Sequence, residues 1–220
     1  MFRRVFDFDN PLMQALAATY DLILVNTIAV LTALPVVTAG ASLTALHRVS
    51  LHLARKEDIS PARTFFESFR KNLKAGSLLG LIFLFAELLC GLEFLLSGQV
   101  IPVLQPLFAA CAIFVWAVSF YAFGLLAQFE NTIGNILQNA VRLTIGCFPK
   151  TLGMVLFSML FYYVTLRYWQ IGMPVLLLFG VSLPIYVSAC FYNSVFRRLA
   201  EQSEKEDGQG ESVSRPSDDI

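Results

Sequence analysis

Residues 75–97 read AGSLLGLIFLFAELLCGLEFLLS, and within this stretch only Glu87 and Glu93 carry a charge. A helix of about 20 predominantly apolar residues is long enough to cross the ~30 Å hydrocarbon core of a bilayer. No further charge appears between Glu93 and Glu130, so a second apolar helix follows the first. The stretch therefore predicts a transmembrane helix, followed by a second one that crosses back and completes a hairpin.

The composition of the whole chain points to the same class of protein. The 220 residues are 56% hydrophobic and only 15% charged, and the mean hydropathy is +0.65. A soluble globular chain carries about 25% charged residues, so this deficit argues against a water-soluble or disordered protein. Because 16 basic residues balance 16 acidic ones, no overall field points to nucleic acid as a partner.

Hydropathy along the chain predicts about five spans, at residues 20–38, 76–97, 106–128, 151–168 and 173–195. The predicted fold class is therefore all-α, a polytopic transmembrane helix bundle that forms an integral membrane domain over residues 1–198. Residues 199–220 are rich in Gly, Ser and acids and have few apolar side chains. They are expected to form a disordered cytoplasmic tail, because they cannot bury a core.

The basic residues outside the spans are concentrated in segments 48–74, 142–150 and 197–198. Five spans place these segments on one side, and short loops rich in Lys and Arg face the cytoplasm. We therefore expect a multi-pass plasma-membrane protein with its N-terminus outside and its C-terminus in the cytoplasm. The topology of the first span is the least constrained, because this segment could cross the membrane fully or form a re-entrant loop. In addition, Ala39-Gly40-Ala41 resembles a signal-peptide cleavage site.

Two amphipathic stretches, 43–55 and 60–74, are expected to form interfacial helices on the cytoplasmic side. The first carries His47 and His52, which are expected to be interfacial polar residues. The second has Phe residues along one side and a basic face formed by Arg63, Arg70, Lys71 and Lys74. One interpretation is that these helices bind a bilayer with anionic headgroups. The other is that their apolar sides pack against the bundle, and both can hold at once.

Glu87 is the main candidate for a functional side chain within the membrane. It lies eleven residues after Gly76, about 16 Å along a helix at 1.5 Å per residue, and intramembrane acids are expensive unless they have a role. One interpretation is a proton or cation site or a contact to a polar substrate. The other is a neutral acid that is hydrogen-bonded to a neighbouring helix. The sequence leaves both open.

No motif for catalysis or cofactor binding is found in the chain. The four cysteines form no CxxC pair, and the two histidines, five residues apart, do not share a helical face as metal ligands would. The sequence has no phosphate-binding glycine loop and no nucleophile elbow. We therefore expect no enzyme, no cofactor, no metal and no catalytic residue.

The segment LPVVTAGASLTALHRV, residues 34–49, resembles the hallmark of the YesL family, bacterial integral membrane proteins that form a domain-of-unknown-function family. The matching residues, which form a candidate functional motif, are Pro35, Thr38, Gly40, Ser42, Ala45 and Leu46. A second, Phe-rich basic stretch is similar through Phe65, Phe69, Arg70, Asn72 and Lys74. The resemblance implies a bacterial plasma-membrane protein encoded among carbohydrate-utilisation genes, and it brings no catalytic residue.

Two hypotheses for the function follow from these features. The first is an accessory or regulatory partner of carbohydrate (sugar) uptake and utilisation, in which the chain binds a sugar transport system. The alternative is a small transporter or channel, formed by the chain itself as a homodimer, that uses Glu87 in the second span.

Overall fold

The computed structural model describes residues 11–196, and this part of the chain is helical and contains no strand. The tail 199–220 and the basic residues 197–198 lie outside the described residues. The predicted all-α fold class is confirmed. In chain order the helices are α1 (Pro11–Ala33), α2 (Ala39–Ala54), α3 (Pro61–Lys71), α4 (Leu73–Val100), α5 (Gln105–Gln128), α6 (Ile133–Gly146), α7 (Phe148–Arg167), α8 (Trp169–Phe179) and α9 (Ser182–Phe196).

Four of these helices, α1, α4, α5 and α7, are long and apolar enough to cross a membrane. A further span forms if the bent pair of α8 and α9 is counted as one, which gives five. In α1 the apolar window is Leu16–Ala33, and the helix ends there because Pro35 cannot continue it. A single 3₁₀ turn, Val36–Thr38, then leads into α2.

Helix α2 lies inside the bundle, where it packs against α1, α3, α4 and α5. Its buried residues cover more than one face of the helix and are Gly40, Ala41, Ser42, Thr44, Ala45, Leu46, His47, Val49, Ser50 and Leu51. Packing against the bundle, the second interpretation of the apolar stripe in residues 43–55, is therefore what the structure has for most of this stretch.

Glycine allows α2 to approach α4 at backbone distance. A Cβ atom on Gly40 would lie 2.1 Å from the carbonyl oxygen of Gly76 and 2.6 Å from the Cα of Gly80. Gly76 and Gly80 are four residues apart, the small-xxx-small spacing that lets membrane helices pack closely. The start of α4 and the start of α2 are therefore locked together by three residues that have no side chain.

The last span is broken between α8 and α9, which meet at an angle of 59°. Pro184 has no N–H to donate to Gly180 four residues earlier, and the Tyr162 hydroxyl donates to that carbonyl instead, at 2.9 Å. The side chain of Asn26 in α1 provides hydrogen-bond partners for the backbone at the break. Its Nδ2 donates to the Leu177 carbonyl at 2.9 Å, and its Oδ1 accepts from the backbone N–H groups of residues 181–182. The polar backbone exposed by the break is satisfied within the bundle.

The basic segments that the structure describes meet at one end of the molecule. Arg55 donates to Gln128 and to Asn193 at the ends of α5 and α9, each at 2.9 Å. At the start of α7, Lys150 donates to Ser194 of α9 at 2.6 Å. We call this the basic end of the bundle; it also contains α3 and the starts of α4 and α7.

Candidate functional site

The motif residues Pro35, Thr38 and Ser42 hold the junction between α1 and α2. A helix leaves its last carbonyl groups without partners, and Thr38 Oγ1 donates to the Thr32 carbonyl at 2.7 Å and to the Pro35 carbonyl at 2.9 Å. Ser42 Oγ donates to the Ala29 carbonyl at 2.8 Å. These side chains therefore stabilise the turn that Pro35 imposes.

The other motif residues, Gly40, Ala45 and Leu46, are buried in α2. Gly40 provides the close approach to α4, and Ala45 and Leu46 are fully enclosed in the core. The motif therefore has a structural role, because its residues hold α1, α2 and α4 together. The sequence motif contains Gly40, but its contacts with Gly76 and Gly80 were not predicted, although the four-residue spacing of those two glycines is visible in the sequence.

Glu87 lies on α4 and faces α5, in a cavity of about 360 Å³ lined also by Ala112, Ile113 and Trp116. Its Oε1 atom is buried and accepts no hydrogen bond from the described part of the chain. Its surroundings are apolar, so the neighbouring helix of this chain does not provide the partner that the second interpretation requires.

The basic face of α3 is exposed, as the sequence predicts. Arg63 pairs with Glu67 at 2.7 Å, and Lys71 pairs with Glu130 in the connection between α5 and α6. The Lys71 ammonium hydrogen-bonds to the Glu130 carboxylate and holds its pKa below the usual range. On the inner side Phe65 is fully buried, while Phe66 is 43% exposed. Arg70 of α3 and Lys74 at the start of α4 are exposed too, so α3 and the start of α4 together present a basic and partly apolar surface.

His47 is a buried residue that sequence analysis placed at the interface. Its ring is enclosed by Phe120, Phe123 and Tyr192, and its Nδ1 lies 2.7 Å from the Tyr192 hydroxyl. Burial disfavours the charged ring and lowers the pKa of His47 to about 3. The ring is therefore neutral in the folded protein. The small residues that precede it, Gly40, Ala41, Ser42, Thr44 and Ala45, were a sequence signal for the close packing of this helix.

Metal and disulfide chemistry find no support in the described residues. All four cysteines are free. Among residues 11–196, no three His, Cys, Asp or Glu side chains come together in a way that could hold a metal ion.

The long apolar helices and their exposed apolar surfaces define a polytopic helical membrane protein. Residues 22–94, about a third of the chain, match a family described as "Protein of unknown function, DUF624". The matched range covers most of α1, all of α2 and α3, and most of α4, so it contains the glycine-packed junction. No curated protein and no solved structure matches the chain. The similarity is thus to a domain family of unknown function, and the resemblance to the YesL family stays a prediction from the sequence.

Proposed function

We propose that this chain is an accessory subunit that acts by binding another membrane protein and carries out no catalysis itself. The observation that carries the proposal is the outer half of the α4–α5 hairpin, residues 84–96 and 105–116. None of these residues is buried, and a Cβ on Gly91 would meet no atom within 4 Å. This half of the hairpin projects beyond the core and leaves a broad apolar surface for a partner.

Glu87 lies within this surface and supplies the argument for a protein partner over lipid alone. Its buried Oε1 has no hydrogen-bond partner among the described residues, and an unsatisfied polar group in the hydrocarbon region costs free energy. A helix of another membrane protein that brings a hydroxyl or amide donor into the cavity lined by Glu87 would satisfy its carboxyl group, whereas acyl chains would not. The resemblance to the YesL family makes a bacterial sugar-uptake system the expected partner.

The orientation of the subunit follows from its charges. Because Lys and Arg accumulate on the cytoplasmic side of membranes, the basic end faces the cytoplasm and the outer half of the hairpin lies in the opposite leaflet. The basic face formed by Arg63, Arg70 and Lys71 of α3 and by Lys74 at the start of α4 then meets the anionic headgroups of the inner leaflet. The exposed ring of Phe66 reaches the acyl chains.

A photocrosslinker tests the partner surface. Phe85 is 65% exposed in the outer half of α4 and is replaced by p-benzoylphenylalanine; Leu160 is 62% exposed on α7 and receives the same replacement as the matched control. Cells are grown on inducing sugars and irradiated. Position 85 should give one discrete adduct with another membrane protein, and position 160 should give none. Equal adducts at both positions, or none at position 85, would contradict the proposal.

Glu87 variants decide between this proposal and the second candidate, a small homodimeric transporter or channel. The unpartnered Oε1 atom also suits a proton or cation that binds and leaves. A subunit interface keeps its adduct in Glu87→Gln, which retains an acceptor oxygen, and loses it in Glu87→Leu. A transporter moves its substrate in reconstituted vesicles, gives an adduct of twice the chain mass, and loses flux in Glu87→Gln because the amide cannot ionise.

A further inference from the structure

A cavity of about 340 Å³ opens at the basic end, away from the outer half of the hairpin. Its walls come from α2, α3, the end of α5 and the connections that follow them. The polar side chains among them are those of Arg48, His52, Thr64, Glu67, Ser68, Lys71, Asn72, Gln128 and Glu130. Volumes from about 300 Å³ upward are typical of small-molecule sites. The cavity therefore has room for a small polar group together with a short attached chain.

The ionic groups around this cavity leave one cation without an anion. Lys71 pairs with Glu130, and Glu67 pairs with Arg63, which does not line the cavity. Arg48 is half-buried and donates one hydrogen bond, from Nη1 to the Ala127 carbonyl at 2.7 Å. The carboxylates of Glu67 and Glu130 line the same cavity but pair with Arg63 and Lys71, and no carboxylate within residues 11–196 forms an ion pair with the Arg48 guanidinium.

The cavity also offers neutral donors next to this guanidinium. Thr64 and Ser68 are four residues apart on α3 and so lie on the same face of that helix. Ser68 Oγ accepts from Asn72 Nδ2 at 3.4 Å, which leaves its hydroxyl hydrogen free to donate. An anion bound here would meet one charged fork and two hydroxyl groups.

We propose that this cavity binds the phosphate group of a phosphate ester, with the Arg48 guanidinium as its main contact. The planar guanidinium fork matches two phosphate oxygens at once, and the hydroxyls of Thr64 and Ser68 donate to the remaining oxygens. The ester comes either from an anionic lipid headgroup or from a soluble phosphorylated metabolite. Both present the same chemistry at the basic end of the bundle.

Binding to the purified full-length chain in a mild detergent tests the site. The probes are sn-glycerol 3-phosphate as the soluble ester, phosphatidylglycerol as the lipid, and glycerol as the phosphate-free control. We expect saturable binding of at least one phosphate probe and none of glycerol. Saturation by sn-glycerol 3-phosphate identifies a soluble ligand, and saturation by phosphatidylglycerol alone identifies a lipid site. The absence of saturable binding of either probe would overturn the proposal.

Variants tie that binding to the cavity. Arg48→Gln removes the charge and keeps an N–H donor for the Ala127 carbonyl, and it should weaken binding about tenfold or more. Thr64→Val keeps the shape of the side chain and removes one donor, so it should weaken binding severalfold and serves where Arg48→Gln does not fold. Arg142→Gln is the matched control, an exposed arginine on α6 outside the cavity. Unchanged affinity in both cavity variants, or equal loss in the control, would overturn the proposal.

Discussion

Asn26 and Leu177 are 151 positions apart in the sequence, and a hydrogen bond of 2.9 Å joins the side-chain amide of the first to the carbonyl of the second. The same amide oxygen accepts from the backbone N–H groups of Val181 and Ser182. One buried side chain of α1 therefore serves three backbone groups where the last span breaks. The first and last spans are coupled through this contact.

Replacing Asn26 with leucine should destabilise the fold. Leucine is similar in size but leaves the two N–H groups and one carbonyl at the break without their partner, and an unsatisfied buried group costs about 1–3 kcal/mol. We expect a lower midpoint of thermal unfolding in detergent. Thr27→Val is the control. Within residues 11–196 the Thr27 hydroxyl donates to the Ile23 carbonyl of its own helix at 2.9 Å and to no other helix, so this variant should leave the midpoint nearly unchanged. Equal midpoints for both variants would show that the hydrogen bonds of Asn26 do not stabilise the break.

Gly40→Ala should prevent α2 from seating against α4. The added methyl group would meet the Gly76 carbonyl at 2.1 Å, and backbone on both sides cannot move away as a side chain could. Gly91→Ala adds the same atom where nothing in the described part of the chain, apart from the helix's own backbone, lies within 4 Å. It should be neutral or stabilising by up to about 1 kcal/mol. The measurement is the yield of monodisperse protein after extraction. Comparable yields would mean that the two helices separate freely.

His47 should make stability depend on pH. Its pKa is about 3 when buried and 6.5 when exposed, so between these values the unfolded chain binds a proton that the folded chain does not. Stability therefore falls as the pH drops below about 6.5, by up to about 1.4 kcal/mol for each pH unit.

The unfolding midpoint measured from pH 7.5 to pH 4.5 checks this prediction, with His47→Gln as the comparison. Glutamine does not titrate in that range, and its amide can still bond to the Tyr192 hydroxyl. The variant should have the shallower pH dependence. If both proteins lost stability in parallel, the slope would have to come from other groups.

Phe65→Ala should cost about 3–5 kcal/mol, the range for a large aromatic side chain removed from a packed core. Phe65 is fully buried beneath α3, whereas its neighbour Phe66 is 43% exposed. Phe66→Ala should therefore change the free energy of unfolding little, and it serves as the control for Phe65→Ala. Denaturant unfolding in detergent measures both variants. An equal loss of stability in the two would contradict the buried position of Phe65.

Hydropathy and the distribution of charge predicted the helical membrane class, the number of spans and the gathering of basic residues at one end. These properties depend on the local length and polarity of each segment, so they can be read without knowledge of neighbours. The amphipathic pattern of α3 was also informative, because one of its faces meets water and must be polar.

The tertiary structure decided the burial of α2, the enclosure of His47 and the hydrogen bonds of Asn26 at the break. In a membrane a face that touches lipid and a face that touches another helix are both apolar, so periodicity cannot tell them apart. The contacts of Gly40 with Gly76 and Gly80 depend on which backbones meet, and the bonds of Asn26 depend on a break far along the chain. The sequence alone determined which helices are long and apolar enough to cross a membrane. Only the packing of those helices decided which polar side chains became buried.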